Sequence, residues 1–164
     1  APFSVRGGGH MNFPDSYNIY NGVLLALNNM NNTTVNNGID STFTVGPGNR
    51  WVDVYAALEP YGLYTIGGRM KTMGVPGLSL IGGLHYFINK YGFVMDNILQ
   101  YDVVLGNGPQ VVANNATNRD LFWALEGGAN NFGVVTRFTY KAYAIPKLSI
   151  TYLQFNTSQV KAWV

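Results

Sequence analysis

Apolar and polar positions alternate in short bursts along this chain, and the bursts predict strands more often than helices. β-rich apolar stretches run over Phe3–Val5, Val23–Leu27, Thr42–Val45, Leu63–Ile66, Tyr101–Leu105, Gln110–Ala113, Gly133–Tyr143 and Leu148–Phe155. Between two of them stands Asn107-Gly108, a dipeptide that supplies the positive φ of a tight hairpin turn. Two segments show a helical period instead. Arg50–Tyr61 gathers Trp51, Val54, Tyr55 and Leu58 on one face and is stopped by Gly62. Asn118–Glu126 gathers Leu121, Phe122 and Leu125 and is stopped by Gly127-Gly128. A third stretch, Leu78–Tyr91, is apolar and predicts a helix interrupted by glycine. Strands mixed with helices and a hairpin predict an α+β fold with mixed sheets and flanking helices, not an alternating βαβ sheet.

No repeat, linker or low-complexity tract interrupts this pattern, and a domain boundary is predicted near Pro146, where a new strand follows a long one. Ala1–Val5 reads as a strand already in progress. Gln159–Val164 reads as the first turns of a helix capped by Thr157 or Ser158. The expectation is a piece of a longer chain, cut at both ends.

Composition narrows the chemistry. The chain has 164 residues, 47% hydrophobic and 14% aromatic, enough for a sizeable core. Only 11% are charged and the net charge is +2, too little for a basic stripe on a phosphate backbone, so no nucleic-acid partner is expected. No apolar run approaches the ~20 residues of a membrane span, so no membrane partner is expected either. Cysteine is absent, which removes disulfides, thiolate metal sites and cysteine nucleophiles. With two histidines, His10 and His85, and no carboxylate cluster, no metal site is expected. Glycine (20) and asparagine (19) are in excess. The asparagines create four N-x-S/T sequons, at Asn31, Asn32, Asn115 and Asn156, which together with low charge predict a secreted, glycosylated protein.

Four segments carry the candidate chemistry. Arg6-Gly7-Gly8-Gly9-His10 ends the first strand, and its glycines free successive backbone N–H groups to form an anion nest. Gly67–Gly77, followed by Gly82-Gly83, packs six or more glycines, two basic groups and Thr72 into a short span. That density suits close backbone approach to a large flat or phosphorylated ligand. Tyr91-Gly92-Phe93-Val94-Met95-Asp96-Asn97 offers an Asp-Asn pair whose commoner use is to cap a turn. Leu121–Thr136 joins a helical core segment to a Gly-Gly-Ala-Asn-Asn-Phe-Gly turn.

In this order and spacing the four segments closely resemble the PCMH-type FAD-binding domain of the vanillyl-alcohol-oxidase superfamily, nearest to its berberine-bridge-enzyme-like branch in the style of fungal secreted oxidases. The family pattern runs R-G-G-G-H, G-G-R-x-x-T-x-G-V-x-G-L, Y-G-x-x-x-D-N and D-L-F-W-A-L-x-G-G-x-N-N-F-G-V-V-T, and the likeness extends from Phe3 to about Pro146. It implies that residues 1–146 are an FAD-binding domain lacking its N-terminal part. Residues 147–164 are then the start of a substrate domain in a larger two-domain flavoprotein. It implies an FAD joined through its 8α carbon to His10, with the pyrophosphate held by Gly7, Gly8 and Gly9 and with Arg6 and Met11 also among the cofactor contacts. Gly68, Arg69, Thr72, Met73, Gly74, Gly77 and Leu78 then run along the ribityl chain and ring. Gly82, Gly83, Tyr91, Gly92, Asp96, Asn97, Ile98, Gly133, Val134 and Val135 complete the cradle.

Three positions depart from the family. Met70 stands where many relatives carry a cysteine that makes a second flavin link, so a single link through His10 is expected. Met73 stands at the position that gates oxygen, where valine permits reaction, and leaves oxidase and dehydrogenase both open. His85 replaces a small polar residue and is expected on a helix surface or a cavity wall without a chemical role. The implied activity is hydride transfer from an alcohol, sugar or natural-product substrate to FAD, with reoxidation by O2 giving hydrogen peroxide. The partners are a small-molecule substrate, O2 and the remainder of the chain. The catalytic base belongs to the second domain, and no catalytic residue is assigned here. The rival readings are a flavin-fold cyclase without net redox chemistry and a non-catalytic, allergen-like glycoprotein.

Overall fold

The computed structural model describes residues 1–14, 16–144, 149 and 151–162. In chain order its elements are β1 (Phe3–Arg6), β2 (Val23–Ala26), β3 (Thr33–Asn36), β4 (Thr42–Val45), α1 (Trp51–Leu58), β5 (Leu63–Tyr64), α2 (Val75–Leu80), α3 (Ile88–Tyr91), β6 (Ile98–Val104), β7 (Gln110–Asn114), α4 (Arg119–Leu125), β8 (Val134–Lys141) and β9 (Tyr143–Ala144). Five of the strands form an antiparallel sheet in the order β3-β4-β8-β6-β7. β1 and β2 pair in parallel, and β5 pairs with β9 in a short antiparallel ribbon. The α+β expectation holds.

The five-stranded sheet has two unlike faces, because side chains alternate along every strand. One row of register partners reads Val35, Phe43, Tyr140 and Ile98, and the parallel row ends in Val45, Phe138, Tyr101 and Ala113. These residues, with Trp51, Val54 and Leu58 of α1 and Phe122 and Leu125 of α4, make the core. The row between them reads Thr34, Thr44, Thr139, Gln100 and Asn114, polar across all five strands.

The predicted helices are present with trimmed ends. α1 begins at Trp51, where Asp53 accepts the Arg50 backbone N–H at 3.1 Å and satisfies a donor at the helix start. It tightens into a 3-10 turn over Glu59–Tyr61 before Gly62 adopts a left-handed φ of 64°. The Asn107-Gly108 hairpin joins β6 to β7, with the Gly108 N–H donating to Leu105 O at 2.9 Å.

Four expectations change. Leu78–Tyr91 is not one helix. Left-handed Gly82 and Gly83 break it, and their carbonyls accept the N–H groups of Met95 and Val94. Gly133–Tyr143 divides into β8 and β9 at Ala142, whose N–H turns to Ser41 O. β3 has no apolar alternation beyond Val35 and is visible only through its pairing with β4. Leu148–Phe155 is not a strand where it can be followed, since Ser149 and Thr151–Phe155 lie outside every sheet ladder and Tyr152 is 85% exposed. Leu148, Ile150 and the boundary at Pro146 lie outside the described residues. A short 3-10 turn occupies Thr157–Ala162, where the predicted helix was to start.

Candidate functional site

The site is built where the chain's two glycine loops meet. β1 delivers Arg6-Gly7-Gly8-Gly9-His10, and the coil between β5 and α2 delivers Gly67–Gly74. Gly8 and Gly74 lie backbone against backbone. A Cβ on Gly8 would stand 2.5 Å from Gly74 Cα, and one on Gly74 would stand 2.6 Å from Gly8 Cα. A Cβ on Gly7 would strike Pro76. Gly9 takes a left-handed φ of 61° and turns the chain so that His10 emerges into solvent. There His10 Nε2 comes within 3.2 Å of Thr72 Oγ1, joining positions 62 apart in sequence. His10 Nδ1 makes no hydrogen bond among the described residues.

The second loop is fixed from beneath by α1. Trp51 N–H donates to Met73 O at 3.0 Å, Val75 N–H to Asn49 O at 3.1 Å, and Arg50 to Thr72 O at 3.2 Å. The fully buried Trp51 indole lies flat under Gly67 and Gly68, and a Cβ at either glycine would collide with the ring. Tyr55 on the same helix donates its hydroxyl to Gly68 O at 2.9 Å. Burial pushes the Tyr55 pKa up, so this donor stays neutral at ordinary pH. Eight of the expected residues, Arg6, Gly7, Gly8, His10, Gly68, Thr72, Met73 and Gly74, are thus held in one block. Met11 and Met70 are exposed beside it.

Most of the remaining expected residues form a second block at the far end of α2. Gly82 and Gly83 bind the Val94–Met95 backbone, and Ala129 N–H donates to Leu80 O. Gly92, with a φ of 76°, leaves room for Asp96, whose carboxylate accepts the Phe93 N–H at 2.7 Å. That is the turn-capping use of Asp96. Asn97 is buried and fully engaged, donating to Tyr91 O and Phe93 O and accepting from Tyr143. The Tyr91 and Tyr143 rings meet at a tilt with centroids 4.3 Å apart. Ile98 and Val135 point into the core, and Gly133 backs onto Val104. Here Asp96, Asn97 and Tyr91 brace the fold, and the surface they brace is backbone.

α2 bridges the two blocks. Gly77 lies on its exposed side, with nothing within 4 Å of where a Cβ would stand. A glycine in a helix costs about 1 kcal/mol relative to alanine, so an open flank is its return. Segments 6–11 and 67–78 hold Arg6, Arg69 and Lys71 and not one carboxylate. An elongated, diphosphate-bearing cofactor fits this donor set, with exposed His10 at its edge.

For His85 the structure excludes one of the two expected placements. It is not on a helix surface but 4% exposed, between Tyr64, Tyr86 and Phe87. The Phe87 N–H donates to Nδ1 at 3.2 Å, so Nε2 carries the proton and donates to the Tyr64 hydroxyl at 3.0 Å. Tyr64 stacks on Tyr55 at 4.8 Å, which connects His85 to the support of Gly68. Burial, aided by Arg69, pushes the His85 pKa down to about 4. The unfolded chain therefore takes up a proton near the ordinary histidine pKa of 6.5 while the folded chain stays neutral. Stability is full above that pH and falls as pH drops towards about 4. Urea midpoints measured from pH 7 to 4 should show this slope, and His85→Gln, which does not titrate, should flatten it. An unchanged slope would refute the assignment.

Residues 1–114 match the family model described as FAD binding domain. The FAD-dependent monooxygenase prx3 of Penicillium roqueforti is 42% identical over 144 residues, 88% of this chain and 28% of its own. The crystal structure of 6-hydroxy-D-nicotine oxidase from Arthrobacter nicotinovorans superposes with a TM-score of 0.81 at 33% identity, covering 86% of this chain and 31% of that one. A VAO-type flavoprotein from Myceliophthora thermophila C1 gives 0.80 at 28% identity, covering 86% and 27%. The chain spans less than a third of the length of the relatives it matches.

Proposed function

The chain belongs to the FAD-binding domain family, and from that premise we propose that it is the cofactor-holding part of a secreted, berberine-bridge-enzyme-like oxidoreductase whose FAD is joined covalently to His10. Its fold is that of the PCMH-type domain of the vanillyl-alcohol-oxidase superfamily. Residues 1–146 make up the FAD-binding part in this reading, and residues 147–164 open the substrate-binding part.

The observation that carries the proposal is the His10–Thr72 contact at the Gly8–Gly74 junction. It puts a solvent-facing imidazole, with one nitrogen anchored by a hydroxyl and the other free, at the rim of a carboxylate-free, glycine-lined surface. The backbone of Gly7–Gly9 would hold the pyrophosphate, and Gly68–Leu78 would carry the ring. Bound FAD supplies a two-electron acceptor, so that a substrate carbinol and O2 become a carbonyl and hydrogen peroxide. This chain's share is to hold and orient that group. Met73 tucks its side chain against the core and presents its backbone to Trp51. Oxygen consumption by the Met73→Val variant, compared with the parent, would separate oxidase from dehydrogenase.

Flavin absorbance that stays with protein precipitated in acid, and a His10 peptide heavier by the mass of FAD, are the expected results. Complete release of flavin into the supernatant would sink the covalent link. The name of the Penicillium relative supports a second reading, monooxygenation. Label from 18O2 in the product would favour it, and peroxide equal to the substrate consumed would favour the first.

A further inference from the structure

The polar face of the five-stranded sheet is not used by the site above, and neither are the four sequons. They meet at one place. A cleft of about 550 Å³ opens over this face, and its wall includes Asn32, Thr34, Thr44, Gln110, Asp102 and Arg137. Asn32-Thr33-Thr34 is a sequon, so the asparagine and the hydroxyl that define it both line the same cleft. We propose that this cleft seats the first sugars of an N-linked glycan carried by Asn32. The proposal rests on the secretion proposed above.

Asn32 is free to carry the group. Its backbone carbonyl is held by the Gly46 N–H at 2.9 Å, while its side-chain amide is exposed and makes no hydrogen bond to the described residues. The overlapping sequon Asn31-Asn32-Thr33 is placed differently. Thr33 is half-buried and hydrogen-bonded to Asn49, and Asn31 does not line the cleft. Asn156 uses its side-chain oxygen to accept from Ser158 N–H.

The cleft suits a neutral sugar. Asp102 is 3% exposed and spends its oxygens on Gln100 and on Arg137, so the one carboxylate and the one guanidinium cancel. Arg137 keeps Nη1 outside that pair, and its side chain is 56% exposed. Threonine hydroxyls and the Gln110 amide add further donors and acceptors. Met30, also in the wall, offers an apolar contact for an acetamido methyl. Among the described residues no aromatic ring lines the cleft, so a free sugar would bind weakly. A tethered one needs little intrinsic affinity, because a short tether supplies an effective concentration of about millimolar.

The attachment joins Asn32 Nδ2 to C1 of an N-acetylglucosamine. The C1–O bond to a polyprenyl diphosphate donor breaks, the diphosphate leaves with the bonding pair, and one amide proton is released.

The protein secreted from a yeast host provides the test. Glycopeptide mass spectrometry should find sugar on Asn32. Under native conditions peptide N-glycosidase should release it about tenfold more slowly than the glycan on Asn115, which stands on an exposed turn. Arg137→Ala and, separately, Gln110→Ala should bring the two rates together without changing occupancy. Sugar on Asn115 with Asn32 bare would overturn this proposal alone. So would release from Asn32 as fast as from Asn115. Four bare sequons would overturn the secretion reading with it.

Discussion

His10→Ala should give a protein from which acid precipitation removes all flavin, while the parent retains it. The expectation follows from where the imidazole stands. Gly9 turns the chain in a conformation that costs L side chains strain, and the result is a ring held outside the fold with Thr72 on one nitrogen. His10 is the one imidazole in the two glycine loops, whose other nitrogen-bearing side chains are Arg6, Arg69 and Lys71. Thr72→Val should keep the fold and lower the linked fraction, because the ring loses its anchor. Retention of flavin by the alanine variant, read from the spectrum of the washed precipitate, would refute the assignment of His10.

The second large effect belongs to a residue that touches no cofactor in this account. Trp51→Ala should cost about 3–5 kcal/mol of folding stability, the usual range for an aromatic deleted from a core. The indole is fully buried, stands edge-on to Tyr140 at 5.8 Å and is the floor beneath Gly67 and Gly68. Its removal leaves two glycines without support in a segment that has no side chains of its own there to refill the space. Urea denaturation gives the stability, and limited proteolysis between Gly67 and Gly74 should become faster than elsewhere. A loss below about 1 kcal/mol, as expected of a surface site, would show that the loop does not depend on this floor.

Much of this could be read in the sequence, for reasons that differ by element. α1 and α4 were legible because their apolar period matches a helix and glycine ends each. The β6–β7 hairpin was legible because Asn-Gly serves few other purposes. The glycine loops were legible because glycine density has few causes, and the ordered motifs identified the family. The failures have physical causes as well. β3 is a strand because β4 offers it an edge, and nothing in Thr-Thr-Val-Asn announces that. Leu148–Phe155 has strand composition, but its described residues join no sheet. The two placements open to His85 could not be separated from sequence, because its burial depends on Tyr64 and Phe87 closing around it, which is a tertiary fact. Nothing in the Asp-Asn motif announces that the Asn97 side chain bonds to Tyr91, Phe93 and Tyr143.

The Gly8–Gly74 contact also has a bearing on timing. It closes a loop of more than sixty residues, an arrangement that chain entropy delays until much of the intervening structure exists. His10 meets Thr72 only through that closure, so the attachment geometry is a late product of folding and is absent from earlier states. Where flavin is joined to His10, each yellow molecule is one whose distant segments have already docked. Colour per mole of chain would then count the molecules that completed this step, and a misfolded fraction would stay colourless even in excess FAD.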